Sequence, residues 1–132
     1  MGFPQRLTFV TLGARNMATM RAFYSALGWV AREGSDEGFT AYDVGGIRLT
    51  LFPLDQLGLE AAPGEPTPSG WNGSTLGVNV DSAEEVDEAF RAASAAGAQR
   101  IGEPTRREWG GYSGYFGDPE GNRWEIAWAP EG

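Results

Sequence analysis

Hydrophobic positions along this chain switch between a period of two and a period near 3.6, and the switches come in the same order twice. Residues 7–13 alternate, with Val10 and Leu12 on one side and Phe9 and Thr11 on the other, which predicts a half-buried strand. Asn16 stands where a helix cap belongs. Met17, Met20, Phe23 or Tyr24, and Leu27 then recur at spacings of three and four, predicting an amphipathic helix over 17–27 that Gly28 stops. Residues 29–32 and 39–44 read as strands, and Gly45-Gly46 is a two-residue hairpin signal leading into a strand over 47–52. The order then repeats. A strand over 75–80 precedes Ser82 and Glu85, spaced as a capping box, and a helix over 83–96 with Val86, Ala89, Phe90 and Ala93 as its buried stripe. Gly97 ends that helix. Three strands follow, over 98–101, approaching Phe116, and over 123–128, the last two joined by the turn-forming run 117–122.

The two halves align residue by residue. Residues 9–16 (FVTLGARN) match 75–82 (TLGVNVDS), and 46–52 (GIRLTLF) match 121–127 (GNRWEIA), so that Thr50 corresponds to Glu125. The pattern predicts one α+β domain over 1–132, built from two βαβββ modules spanning 5–55 and 75–129. Between them, 56–74 holds Pro63, Pro66, Pro68 and an Asn72-Gly73 pair, with no sustained periodicity after Leu59. So long a stretch is either a linker or a functional lid, and Trp71 near its end favours a lid, because a large ring in a loop needs something to cover.

Alternation also identifies the free side of each sheet. Trp124, Ile126 and Trp128 share the face expected to pack on a helix, leaving Arg123, Glu125 and Ala127 on the other. The same parity sets Phe9 and Thr11, Arg48 and Thr50, and Thr75, Gly77 and Asn79 opposite their strands' aliphatic faces. These residues are expected to line one concave surface, apolar with a few convergent polar groups, as ligand pockets are. Trp109, Tyr112 and Tyr115 occupy a glycine-broken stretch that packing explains less easily; they read either as groups stacking on a ligand or as a contact with the other module or a second chain. Trp124 and Trp128 read as core, residues 118–121 as turn chemistry, and Arg106-Arg107-Glu108 as a solvated face or edge-strand guard.

Composition narrows the classes. At 132 residues, with 41% hydrophobic and 21% charged, the chain can bury a core. It has neither an apolar run long enough to span a bilayer nor a basic-then-apolar leader, so a cytoplasmic protein without membrane contact is expected. The lack of cysteine excludes disulfides and thiolate chemistry. The lack of histidine removes the usual general base near neutral pH and the commonest transition-metal ligand. A net charge of -8 argues against nucleic acid and is compatible with a cationic ligand, although it also serves solubility.

The run Val10-Thr11-Leu12-Gly13, Phe23-Tyr24 and Leu27-Gly28-Trp29, with Trp109-Gly110-Gly111-Tyr112, Gly114-Tyr115-Phe116 and residues 118–125 (DPEGNRWE), resembles the vicinal oxygen chelate superfamily. That superfamily includes glyoxalase I, extradiol dioxygenases and the fosfomycin- and bleomycin-resistance proteins. The resemblance covers nearly the whole chain without choosing among those activities. It implies paired βαβββ units forming an open, partly closed barrel, commonly assembled as a homodimer. Metal-using members place their ligands on the first and last strands of each module, at positions that fall here on Phe9, Thr50, Thr75 and Glu125. Only Glu125 keeps a strong metal-binding side chain, because a phenyl ring donates nothing and neutral hydroxyls hold divalent ions poorly. No metal and no other cofactor is therefore expected. Glu125 reads as a pocket carboxylate left by ancestry or paired with Arg48, as an anchor for a cationic group, or as a metal ligand.

The function expected on these grounds is metal-independent binding of a small aromatic or cationic molecule, sequestered as the resistance proteins do. Its ligand-binding residues would be Phe9, Arg48, Thr50, Trp71, Thr75, Asn79, Trp109, Tyr112, Tyr115 and Glu125, and its partners the small molecule and a second copy of the chain. The alternatives are a lyase, isomerase or dioxygenase, metal-dependent or using Glu125 as general base, and an accessory module with a vestigial pocket.

Overall fold

The computed structural model describes residues 2–130, in two compact units that meet between Thr67 and Pro68. Met1, Glu131 and Gly132, which the single-domain expectation includes, lie outside the described residues. Among the described residues no helix is long and apolar enough to cross a membrane.

The first unit runs β1 (Phe9–Ala14), α1 (Met17–Ala26), β2 (Thr40–Val44), β3 (Ile47–Pro53) and α2 (Leu54–Ala61). The Asn16 side chain accepts the Thr19 N–H at 3.0 Å and starts α1, which buries Met17, Met20, Phe23 and Tyr24. Leu12, Ala14, Tyr42, Leu49 and Leu51 complete this core. Its sheet has the order β1-β3-β2, with β1 parallel and β2 antiparallel to β3. The hairpin between β2 and β3 turns on Gly45 and Gly46, both at positive φ (68° and 100°), as a two-residue turn of primed type requires.

Two expectations fail in this unit. Residues 29–32 form no strand, because the Trp29 N–H closes α1 on the Tyr24 carbonyl at 3.0 Å and its ring stacks on Tyr24 at 5.2 Å. The backbone of that segment bonds to the sheet at Arg32, whose N–H donates to Ala41 O (2.8 Å), and among the described residues the first copy has three strands rather than four. Conversely, residues 54–61, most of them assigned to the linker or lid, form α2. Helix α2 spans 8 residues, begins at Pro53 without a side-chain cap and buries none of its residues, so no cap announces it and its apolar pattern is too short to stand out.

The second unit is a full βαβββ copy: β4 (Thr75–Asn79), α3 (Ala83–Ala95), β5 (Gln99–Arg106), β6 (Tyr112–Gly117) and β7 (Arg123–Trp128), in sheet order β4-β7-β6-β5. Ser82 accepts the Glu85 N–H at 3.1 Å and starts α3, whose Val86, Phe90 and Ala93 pack towards β6 and β7. On that face Phe116 and Trp124 lie parallel at 6.1 Å. Buried Asp118 accepts from the backbone N–H groups of Glu120 (2.9 Å) and Asn122 (3.0 Å), fixing the expected turn. Strand β5 extends to Arg106, further than the expected 98–101, because its register shifts around Gly102 and hides the alternation.

The internal repeat survives at the level of register. Phe9 pairs with Arg48 and Thr11 with Thr50 in one unit, as Thr75 pairs with Arg123 and Gly77 with Glu125 in the other. Among the described residues the fold is α+β, with two mixed sheets and three helices, and neither sheet closes on itself.

Candidate functional site

Cross-strand pairing sorts the first sheet into rows. Phe9, Arg48 and Asp43 form one row and Thr11, Thr50 and Ala41 the next, all on the face turned away from Leu49, Leu51 and Tyr42. A cavity of about 340 Å³ lies over this face, lined by Thr8, Phe9, Thr11, Phe39, Ala41, Arg48 and Thr50. Phe39 is placed by an Asx-type turn in which the Asp36 carboxylate accepts the Gly38 and Phe39 N–H groups at 2.8 and 3.2 Å. Its ring meets Phe52 edge-on at 6.2 Å. Strand parity in β2 is the signal that identifies Phe39, which the sequence reading left out of the pocket.

The hydroxyls of Thr11 and Thr50 stand 2.7 Å apart, and the Thr50 hydroxyl also lies 3.3 Å from the Val10 carbonyl. Either hydroxyl can donate within the pair, and each keeps lone pairs that can accept. Arg48 donates through Nε to Asp43 Oδ1 at 3.3 Å, while Asp43 Oδ2 receives Arg32 Nη1 at 2.8 Å. One carboxylate thus serves two guanidiniums, and the Nη groups of Arg48 make no hydrogen bond among the described residues. No carboxylate lines this cavity. At one end of the face, Leu54 of α2 sits so close to Gly13 that an added Cβ would lie 2.5 Å from its Cδ1.

The second sheet sets Thr75, Gly77 and Asn79 of β4 on the same face as Glu125, Ser113 and Tyr115. Glu125 lies between Gly77 on one neighbouring strand and Tyr115 on the other. Burial, then the nearby Glu125 carboxylate, pushes the Tyr115 phenol above its usual range, against the pull of Arg107. The Arg107 guanidinium stands 5.5 Å from the Tyr115 ring centroid and donates to Ser113 Oγ at 2.9 Å and Ser113 O at 3.0 Å. Arg107 is therefore not a solvated guard. It is turned back by the hairpin bond from its N–H to Gly111 O at 2.9 Å, an effect of loop geometry that no sequence period announces.

Of the remaining candidates, Tyr112 lies on the opposite face. Tyr112 pairs with Trp128 on the α3 side of the sheet, donates to Asp87 Oδ1 at 2.8 Å and lies under Arg106. Trp109 is exposed, its ring resting where a Cβ on Gly111 would stand. Trp71, also exposed, donates its indole N–H to Ser74 O at 2.8 Å. Phe9, Arg48 and Thr50 thus converge in one unit, and Thr75, Asn79, Tyr115 and Glu125 share a sheet face in the other. Arg48 finds its partner in Asp43, and Glu125 stands across from Tyr115.

The four positions inherited from metal-using relatives do not fit a divalent transition ion. Phe9 has no donor atom, the Thr50 hydroxyl is engaged within its own sheet, Thr75 offers a neutral hydroxyl, and Glu125 is the one anion among the four. Among the described residues no three His, Cys, Asp or Glu side chains gather to hold a metal.

Residues 6–126 match the Glyoxalase/Bleomycin resistance protein/Dioxygenase superfamily model, and the chain belongs to that superfamily. A glyoxalase-related enzyme from Fulvimarina pelagi is 27% identical with a TM-score of 0.86, over 96% of this chain and 90% of that one. A glyoxalase/bleomycin resistance protein/dioxygenase family enzyme from Burkholderia phytofirmans PsJN is 26% identical with a TM-score of 0.79, over 92% of this chain and 97% of that one. Lactoylglutathione lyase from Agrobacterium tumefaciens shares the fold at 23% identity and a TM-score of 0.71, over 95% of this chain and 94% of that one. Comparison with curated proteins gives no match.

Proposed function

We propose that the chain binds a small, flat, largely apolar molecule without a metal ion and holds it rather than transforming it. The cavity over β1 and β3 carries this reading: ring walls from Phe9 and Phe39, and a Thr11–Thr50 hydroxyl pair already bonded to itself, stand where a metal-using relative would need free donors. Elemental analysis of the purified protein tests it. The expected result is zinc, nickel, iron and manganese well below one equivalent per chain. About one equivalent of any of them, lost on Glu125→Gln, overturns the reading, because a bound transition ion needs anionic or imidazole donors and Glu125 is the anion at the inherited positions.

A second reading is catalysis by Glu125 as general base. Its support is the cross-strand pairing of Glu125 with Tyr115 beside Gly77, where an added Cβ would meet nothing within 4 Å, together with relatives described as enzymes. Turnover in a lactoylglutathione lyase assay without added metal, abolished by Glu125→Gln, would establish it in place of the first.

A further inference from the structure

The geometry points to an aromatic carboxylate of one or two rings as the occupant of the first unit's cavity; this rests on reading that cavity as a ligand site. Four features converge on that class. The volume, about 340 Å³, lies at the low end of small-molecule sites, roughly 300–1,000 Å³. Phe9 and Phe39 supply ring faces and edges against which a flat apolar body packs.

Charge decides the rest. Arg48 is the ionised group lining the cavity, and its Nε is taken by Asp43 while both Nη groups remain available. Those two nitrogens present parallel donors of the geometry a carboxylate accepts bidentately. Asp43 does not cancel this charge, because Arg32 shares it: two guanidiniums face one carboxylate. Thr11 and Thr50, next along the sheet, offer the complementary polarity, since their hydroxyl pair keeps acceptor lone pairs whichever of the two donates within it. Arg48 and Thr50 are two residues apart on β3, so their Cα atoms stand about 6.6 Å apart, the reach of one ring with a substituent at each end. An aromatic carboxylate bearing a hydroxyl at its far end satisfies both. The chain's net charge of -8 opposes the approach of any anion. That field is screened beyond about 8 Å at physiological salt, whereas the guanidinium is part of the cavity wall.

The same reasoning turns away from a cation in this cavity. An ammonium group there would meet Arg48 and no lining carboxylate.

The test uses 6-hydroxy-2-naphthoate, its carboxamide and its aminomethyl analogue, three probes of similar shape and different charge. Binding is followed by fluorine NMR of the full chain labelled with 4-fluorophenylalanine, the Phe9 and Phe39 signals among the seven being assigned by substitution. The expected result is that the naphthoate moves both signals and binds about tenfold or more tighter than the carboxamide, the scale of a charge-assisted pair. That preference should vanish in Arg48→Gln and survive in part in Arg48→Lys, which keeps the charge and loses the fork. Equal affinity for naphthoate and carboxamide, tighter binding of the aminomethyl analogue, or a preference that persists in Arg48→Gln overturns the inference and leaves the cavity a ligand site. If no probe moves either signal, the inference and the cavity reading fall together.

Discussion

Tyr42, Tyr112 and Tyr115 all hold their protons above the ordinary phenol range, for different reasons. Burial dominates for Tyr42, against Arg21; for Tyr112 the bond to Asp87 comes first; for Tyr115 burial leads and the nearby Glu125 carboxylate follows. An unfolded phenol releases its proton near pH 10. Between that pH and the raised native values the folded chain binds more protons than the unfolded one, so unfolding becomes easier as pH rises. This contribution to stability is complete below about pH 10 and is lost as pH climbs through the folded pKa values. The urea midpoint should therefore fall on the alkaline side of about pH 10, and Tyr42→Phe should make that fall shallower. A midpoint level across this range, with all four tyrosines titrating together by absorbance, would contradict the assignment.

At the scale of elements, period and capping made most of the fold legible. Helices α1 and α3 announce themselves because Asn16 and Ser82 cap them and an apolar stripe repeats along each. Parity also grouped Phe9, Thr11, Arg48 and Thr50, since alternation is a geometric property of an extended chain. The rest escaped where another force overrode the pattern. Stacking of Trp29 on Tyr24 withdrew 29–32 from the sheet, shifted register blurred β5, and a hairpin outside any strand aimed Arg107 at Ser113. Tyr112 and Tyr115 lie three apart in β6, and odd spacing sends them to opposite faces. Two glycines offer a direct check of this picture. A Cβ on Gly111, just before β6, would enter the Trp109 ring and come 2.6 Å from the Trp128 carbonyl, whereas one on Gly77 of β4 would touch nothing within 4 Å. Gly111→Ala should destabilise the protein by about 1–3 kcal/mol, the usual cost of overpacking. Gly77→Ala should be neutral or stabilising by up to about 1 kcal/mol, because glycine in a strand interior loses more entropy on folding. Chemical denaturation of the pair decides it, and equal midpoints would sink the argument.

For the whole molecule the open question is what meets the edges of its sheets. Strand β5 guards its edge with Arg100, Glu103, Pro104 and Arg106, charged or unable to donate. Strand β4, the opposite edge of the same sheet, reads TLGVN, with neither charge nor proline, and Val78 is 39% exposed. An edge so bare invites pairing with another chain unless something covers it. A second copy is the partner a homo-oligomer supplies, and a two-fold axis would let one such patch pair with itself. The net charge of -8 works against association but is screened at physiological salt. Sedimentation at physiological salt and on the order of tens of micromolar should accordingly give a dimer. Val78→Lys places a charge on the exposed edge without emptying any core, so it should shift the equilibrium towards monomer and leave the melting temperature of the monomer nearly unchanged. A wild-type chain that sediments as a monomer at that concentration, or a dimer indifferent to Val78→Lys, removes β4 as the interface.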